Sequence, residues 1–69
     1  MISYKPLSKV LIDKDLKKRD LIQMADLSKA TLTKLSKNEH VSMDVIERLC
    51  VALECQPGDI IEYVPGNRS

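Results

Sequence analysis

The sequence contains no Phe and no Trp, only two Gly, and no apolar run long enough to cross a membrane. A membrane-spanning helix needs roughly 18 or more consecutive apolar residues. The first residues also lack the basic and then apolar pattern of a secretory leader. A chain of 69 residues has room for one small core rather than for two lobes around a substrate cleft. We therefore expect one cytoplasmic domain over residues 1–69, with a frayed tail at residues 65–69.

Cysteine and histidine are too few for a metal site or a catalytic cluster. Cys50 and Cys55 lie five positions apart, a spacing that within a helix does not give disulfide geometry. With His40 they still fall short of the four ligands of structural zinc, and no nucleophile is spaced to pair with that histidine. Reduced cysteines are typical of the cytosol. The sequence therefore predicts no metal, no cofactor, no small-molecule ligand, no catalytic residue and no enzymatic activity.

Neither positive nor negative charge predominates, since the net charge is only +1. The charge is nevertheless unevenly distributed along the chain. Residues 5–37 hold nine basic residues against four acids, a balance of +5. Residues 38–69 hold two basic residues against six acids, a balance of −4. This distribution suits a protein that meets a polyanion with one side only.

Apolar residues recur at every third or fourth position, which predicts helices throughout the chain and an all-α fold. The first helix carries Pro6 in its first turn and ends near Lys14. Ser28 and Ser42 are good N-caps for a third and a fourth helix, and Pro57 can open a short fifth helix. The pattern therefore predicts five helices.

The second helix is predicted from about residue 18 to residue 25, so only Asp26, Leu27 and Ser28 separate it from the third. A turn this short forces the two helices to cross at a steep angle, which is the spacing of a helix-turn-helix. Leucines converge beneath the pair and leave small polar side chains on the outer face of the third helix. A helix of this kind fits the major groove of B-DNA, and short side chains let its backbone approach the bases closely.

The segment from Lys17 to Leu35 resembles the helix-turn-helix of the Cro and Xre family of bacterial and phage regulators. The likeness extends through residues 38–53 and the run from Cys55 to Glu62, so it covers nearly the whole chain. It implies a five-helix, lambda-repressor-like domain that binds operator DNA as a homodimer, with the third helix in the major groove. Two positions depart from the family pattern, which usually has Ala at Ile22 and Gly at Asp26. Aspartate adopts the left-handed conformation at modest cost, so the turn remains feasible.

The resemblance also implies which side chains contact DNA. Lysines on the exposed face of the third helix point into the groove, where a lysine reads guanine O6 and N7. The residues predicted to contact bases are Lys29, Ala30, Thr33 and Lys34. The residues predicted to contact phosphates lie at the start of the second helix and at the two ends of the third. They are Lys17, Lys18, Ser28, Thr31 and Lys37.

A homodimer is expected because a core this small is marginal and one short helix reads only a few base pairs. The segment from Gln56 to Val64 has more apolar surface than one short final helix can bury. The predicted dimer interface consists of Ile60, Ile61, Tyr63 and Val64. An alternative is that residues 61–64, which are rich in strand formers, leave the helix and pair with residues 2–4 as a short terminal β-ribbon.

The sequence thus predicts a sequence-specific DNA-binding transcriptional regulator whose partners are double-stranded DNA and a second copy of the chain. We expect a repressor that occupies a palindromic operator as a homodimer. An alternative is a protein-interaction or antitoxin-like module that uses the same scaffold to bind a protein. A protein-binding face is typically rich in aromatic, Met or Arg side chains, whereas the exposed part of the third helix offers Lys, Thr and Ala.

Overall fold

The structure is a computed structural model, and it describes residues 1–66, so residues 67–69 of the predicted frayed tail lie outside the described residues. Over these residues the chain forms four α-helices, one single-turn 3₁₀ helix and one two-stranded sheet. In chain order the elements are β1 (Ile2–Ser3), α1 (Lys5–Asp13), α2 (Asp20–Met24), α3 (Lys29–Ser36), α4 (Met43–Leu53), the 3₁₀ turn (Pro57–Asp59) and β2 (Glu62–Tyr63). The helical class expected from the sequence is confirmed.

The count of five α-helices is wrong, because the chain makes only one 3₁₀ turn after α4 and then extends into β2. β2 pairs antiparallel with β1, which places Ile2 opposite Tyr63 and Ser3 opposite Glu62. The alternative of a terminal β-ribbon is therefore confirmed. The physical reason lies in residues 61–64, whose β-branched and aromatic side chains favour an extended strand over another helical turn.

Both serine caps predicted from the sequence are present. Ser28 Oγ accepts a hydrogen bond from the backbone N–H of Thr31 at 3.1 Å. Ser42 Oγ accepts one from the N–H of Val45 at 3.3 Å. Each bond satisfies an N–H group that the first turn of a helix leaves without an intrahelical partner. The starts of α3 and α4 were therefore readable from the local sequence.

α2 is shorter than the periodicity predicts, since it begins at Asp20 rather than near residue 18. The Asp20 carboxylate accepts a hydrogen bond from the backbone N–H of Lys17 at 2.9 Å, and the Asp20 N–H donates to the Lys17 carbonyl at 2.9 Å. The residues just before α2 therefore form a turn of their own. Met24, the last residue of α2, is 43% exposed.

Turns between the elements are made without glycine. Among the described residues, four non-glycine positions adopt the left-handed backbone conformation, with φ of 53° to 58°: Asp15, Asp26, Asn38 and Glu54. Asp and Asn pay less for this conformation than most residues do. The left-handed turn expected at Asp26 is confirmed, and it redirects the chain from α2 into α3.

The core gathers apolar side chains from all four helices and from the segment that follows α4. Its buried members are Tyr4, Leu7, Leu11, Leu21, Ala25, Leu27, Leu35, Ile46, Leu49, Leu53 and Ile60. Leu32 packs against it while partly buried. The predicted leucine layer beneath α2 and α3 is therefore present. Within residues 1–66, no helix has the length and apolar character that crossing a membrane requires.

The two cysteines are free and half-buried. They do not share a helix, because α4 ends at Leu53 and the Cys55 N–H folds back to donate to the Cys50 carbonyl at 3.1 Å. Burial raises the pKa of the Cys55 thiol, and the neighbouring Cys50 thiol raises it further. Both effects favour the protonated thiol at neutral pH, which is less reactive than a thiolate.

Candidate nucleic-acid interface

α3 carries a polar, solvent-facing surface on the side opposite its buried face. The four residues predicted to contact bases, Lys29, Ala30, Thr33 and Lys34, are all exposed. Leu35, on the opposite side of the helix, is 2% exposed and anchors α3 in the core. The structure therefore brings the four predicted residues together on one accessible face.

Hydroxyl groups on α3 are largely engaged by the helix itself. The Ser28 and Thr31 hydroxyls lie 3.0 Å apart, and Thr33 Oγ1 donates to the Lys29 carbonyl at 3.0 Å. The Thr33 oxygen is left to accept a hydrogen bond from a base amino group, and its methyl group is left for apolar contact. These bonds hold the short side chains close to the helix, so the surface stays shallow.

The predicted phosphate-contacting lysines flank the helix-turn-helix. Lys18 Nζ donates to Ser36 Oγ at 3.4 Å, which joins the turn before α2 to the last residue of α3. Lys37 follows Ser36 directly, so Lys18 and Lys37 flank the same end of α3. An open cleft of about 460 Å³ is lined by Lys18 and Ser36, and Lys5 lines it as well. Lys17 and Lys37 are exposed.

Tyr4 fixes the loop that follows α3. Its backbone N–H donates to Asn38 Oδ1 at 3.0 Å, and its phenol donates to the Glu39 carbonyl at 2.6 Å. Burial raises the pKa of the Tyr4 phenol, so the group stays protonated and continues to donate. The loop next to Lys37 is therefore held against the start of the chain. Sequence reasoning missed this contact, because it joins residues far apart in the chain.

Arg48 on α4 contacts the turn between α2 and α3. Its Nη1 donates to the Asp26 carbonyl at 3.0 Å, and its Nη2 lies 2.9 Å from Asp44 Oδ2. Sequence reasoning also missed this residue. The signal in the sequence was that Arg48 is the only Lys or Arg between positions 38 and 66, a stretch with six acids.

The predicted dimer residues divide into one core residue and three accessible ones. Ile60 is 0% exposed, so it belongs to the core of the monomer and offers a partner no surface. Including Ile60 in the interface was wrong. Ile61 is partly buried, Tyr63 is 71% exposed and Val64 is 37% exposed. β2 and its flanking residues therefore contribute accessible apolar surface at this end of the molecule.

Within the part of the chain that the structure describes, His, Cys, Asp and Glu side chains do not form a metal site. Among residues 1–66, no group of three or more His, Cys, Asp or Glu side chains is arranged to hold a metal ion. His40 is exposed in the loop before α4.

A short helix, a turn through a left-handed residue and a capped second helix with an exposed polar face define a helix-turn-helix DNA-binding domain. Residues 6–66 match the model of the Cro/C1-type HTH DNA-binding domain. Because this match spans most of the chain, the chain belongs to that family. The resemblance seen in the sequence is confirmed.

Two known proteins are similar to this chain. An uncharacterized HTH-type transcriptional regulator of Bacillus subtilis (strain 168), YozG, is 45% identical over 49 residues, which are 71% of this chain and 55% of the relative. The chain thus spans about half the length of that curated relative. The crystal structure of the transcriptional regulator VanUg, form II, has a TM-score of 0.90 and 48% identity, covering 94% of this chain and 87% of that one.

Proposed function

We propose that the chain is a sequence-specific transcriptional regulator that represses by occupying a palindromic operator as a homodimer. The observation that supports this most is the exposed polar face of α3, flanked by lysines on a domain of the Cro/C1-type HTH family. An operator occupied in this way is closed to polymerase. The chain's partners are then double-stranded DNA and a second copy of itself.

In this proposal, the side chains of α3 contact the DNA bases. Lys29 and Lys34 donate to guanine O6 and N7 in the major groove, while Ala30 and Thr33 contact a thymine methyl or a base amino group. The shallow surface between the two lysines supports this assignment, because nothing bulky keeps the helix backbone away from the bases. The exposure of all four side chains is consistent with it.

Contacts to the phosphate backbone of DNA come from the lysines around α3 and from the N-terminus of that helix. Lys17, Lys18 and Lys37 neutralise phosphates on the walls of the groove. The hydroxyls of Ser28 and Thr31 bond to each other with one hydrogen, so the other hydrogen is left to donate to a phosphate at the start of α3, where unpaired N–H groups also favour an anion. Lys18 Nζ rests on a neutral hydroxyl rather than on a carboxylate, so its charge remains available for a phosphate.

A titration of affinity against salt tests the proposed DNA contacts. Three lysines per subunit give six phosphate contacts in a dimer, so log affinity against log salt is expected to fall with a slope near −5. Lys37→Ala removes two contacts per dimer and is expected to make the slope shallower by about 2. Fluorescence anisotropy with a labelled duplex of random sequence, at several salt concentrations, gives both slopes.

Lys14→Ala serves as the matched control, because Lys14 is an exposed lysine beside the Cys55 thiol and outside the proposed interface. This variant is expected to keep the wild-type slope. A wild-type slope shallower than about −2 leaves too few phosphate contacts for a dimer on B-DNA. That result contradicts the proposal and favours the protein-interaction module.

The dimer is proposed to form through Ile61, Tyr63 and Val64. Tyr63, a residue of β2, exposes 71% of its surface, and burying an aromatic side chain of this kind contributes strongly to an interface. A two-fold pair places the two recognition helices about 34 Å apart, one turn of DNA. A symmetric protein then reads a palindromic site.

Sedimentation of the free protein at micromolar concentration tests this interface. The wild type is expected to be dimeric, whereas Tyr63→Asp is expected to be monomeric, because a buried unpaired carboxylate opposes association. Val51→Asp is the control, since Val51 is 80% exposed on α4 and lies outside the proposed interface. A monomeric wild type that binds a non-repeated site as one copy contradicts the homodimer.

A further inference from the structure

Among the described residues, Arg48 makes the only contact between α4 and the turn of the helix-turn-helix in which a charged side chain takes part. The guanidinium donates to the Asp26 carbonyl at 3.0 Å through Nη1. Its other terminal nitrogen, Nη2, lies 2.9 Å from Asp44 Oδ2, four positions earlier on the same helix. The two contacts use two sides of one planar group, so its orientation is determined by both partners.

The turn that Arg48 holds is the element that sets the direction of α3. Asp26 adopts the left-handed conformation, with φ of 54°. Its own side chain is 97% exposed and lies 4.0 Å from the guanidinium, so the carboxylate restrains the turn only weakly. The bond to the Asp26 carbonyl therefore carries the restraint, because a hydrogen bond from a charged donor is stronger than a neutral one.

α2 depends on this restraint because it is only five residues long. A helix of that length has little stability of its own and takes its position from tertiary contacts. Leu21 anchors it from below, at 0% exposure, while Arg48 holds the end at which the chain turns. Together these contacts hold α2 and the turn in one orientation relative to α4. This orientation bears on the angle between α2 and α3.

Arg48 differs from the lysines proposed to contact phosphates in the charges that surround it. It lies in the acidic half of the chain, where it is the only Lys or Arg between positions 38 and 66. Asp44 pairs with it directly and the Asp26 carboxylate lies nearby. Its charge is therefore compensated within the protein, unlike that of Lys17 or Lys37.

We propose that Arg48 is a positioning residue that sets the angle between α2 and α3, and through it the sequence discrimination of α3, without contacting DNA. This inference rests on the proposed DNA-binding function for its second half. Its first half, the angle between the two helices, concerns the free protein alone. The two halves can therefore be tested separately.

Arg48→Met tests the proposal, because methionine keeps much of the apolar stem and removes both polar contacts. In the free protein, residual dipolar couplings of the α2 and α3 backbone amides are expected to report a changed interhelical angle. On DNA, the ratio of affinities for a selected site and a random duplex is expected to fall about tenfold, the equivalent of one impaired base contact. The slope of log affinity against log salt is expected to stay at the wild-type value.

Three further variants separate positioning from general stability. Asp26→Gly keeps the carbonyl and the left-handed turn, so the couplings and the affinity ratio are expected to match the wild type. Asp44→Asn loosens the guanidinium but leaves the carbonyl bond, and an intermediate change is expected. Arg48→Lys can still donate to the Asp26 carbonyl and is expected to restore part of the ratio. Exposed ion pairs contribute little to stability, so all four variants are expected to remain folded, which circular dichroism melting checks.

Unchanged couplings in Arg48→Met overturn the proposal, whatever the DNA result. A salt slope that becomes shallower by about 2, the loss of one contact per subunit, also overturns it, because Arg48 then holds a phosphate. If the wild type shows no DNA binding, the proposed function fails. The couplings still decide whether Arg48 sets the angle.

Discussion

Leu21→Ala is expected to remove a large fraction of the protein's free energy of unfolding. Leu21 is 0% exposed, and its helix, α2, packs against α4. A buried Leu→Ala substitution costs about 2–5 kcal/mol, because it removes apolar contacts and leaves a cavity. A domain of this length has a total stability of only about 3–10 kcal/mol. Urea denaturation followed by far-UV circular dichroism measures the loss.

Met24→Ala is the matched control for this prediction. It makes the same kind of truncation in the same five-residue helix, but Met24 is 43% exposed and its substitution is expected to cost about 0.5 kcal/mol or less. If the two variants had the same denaturation midpoint, α2 would not be anchored through Leu21. The fold described for this part of the molecule would then be incorrect.

Lys34→Ala and Lys29→Ala are each expected to relax sequence discrimination. Loss of a good base contact costs about 1–3 kcal/mol of discrimination, which is roughly a 5- to 150-fold smaller ratio between specific and random DNA. Both lysines are exposed on the same face of α3, so neither truncation disturbs the core. Selection from random DNA identifies the preferred site, and competition titrations at one salt concentration give the ratio.

The control is Lys37→Ala, whose side chain is assigned to a phosphate. A lost phosphate contact weakens binding to all sequences nearly equally, so the ratio is expected to stay within about twofold of the wild type. Base reading by α3 is contradicted if neither Lys29→Ala nor Lys34→Ala lowers the ratio. In that case the specificity of the protein would arise elsewhere.

Local chemistry made part of the fold readable from the sequence. A serine before an apolar period satisfies N–H groups of its own helix, so Ser28 and Ser42 mark helix starts without reference to the rest of the chain. Asp26 was readable for the same reason, because the left-handed conformation is a property of one residue. The exposed face of α3 follows from helical periodicity once its ends are known.

Contacts between residues that are far apart in the sequence were not predicted. Tyr4 and Arg48 act on groups more than twenty positions away, and periodicity carries no information about such partners. Ile60 was misassigned because an apolar residue near the end of the chain suits either a core or an interface equally well. For residues 61–64 the strand propensity was visible, but the choice between helix and ribbon depended on β1 being within reach.

The ribbon of β1 and β2 joins residues from almost opposite ends of the described chain. Closing so long a loop in an unfolded chain costs more entropy than two short strands can recover. We therefore expect the ribbon to form only after the helices have packed and brought its strands together, and to be among the first elements to open. A second copy docked on β2 would hold the two strands of the ribbon together. Dimerisation would then slow the opening of each monomer as well as double the surface offered to DNA.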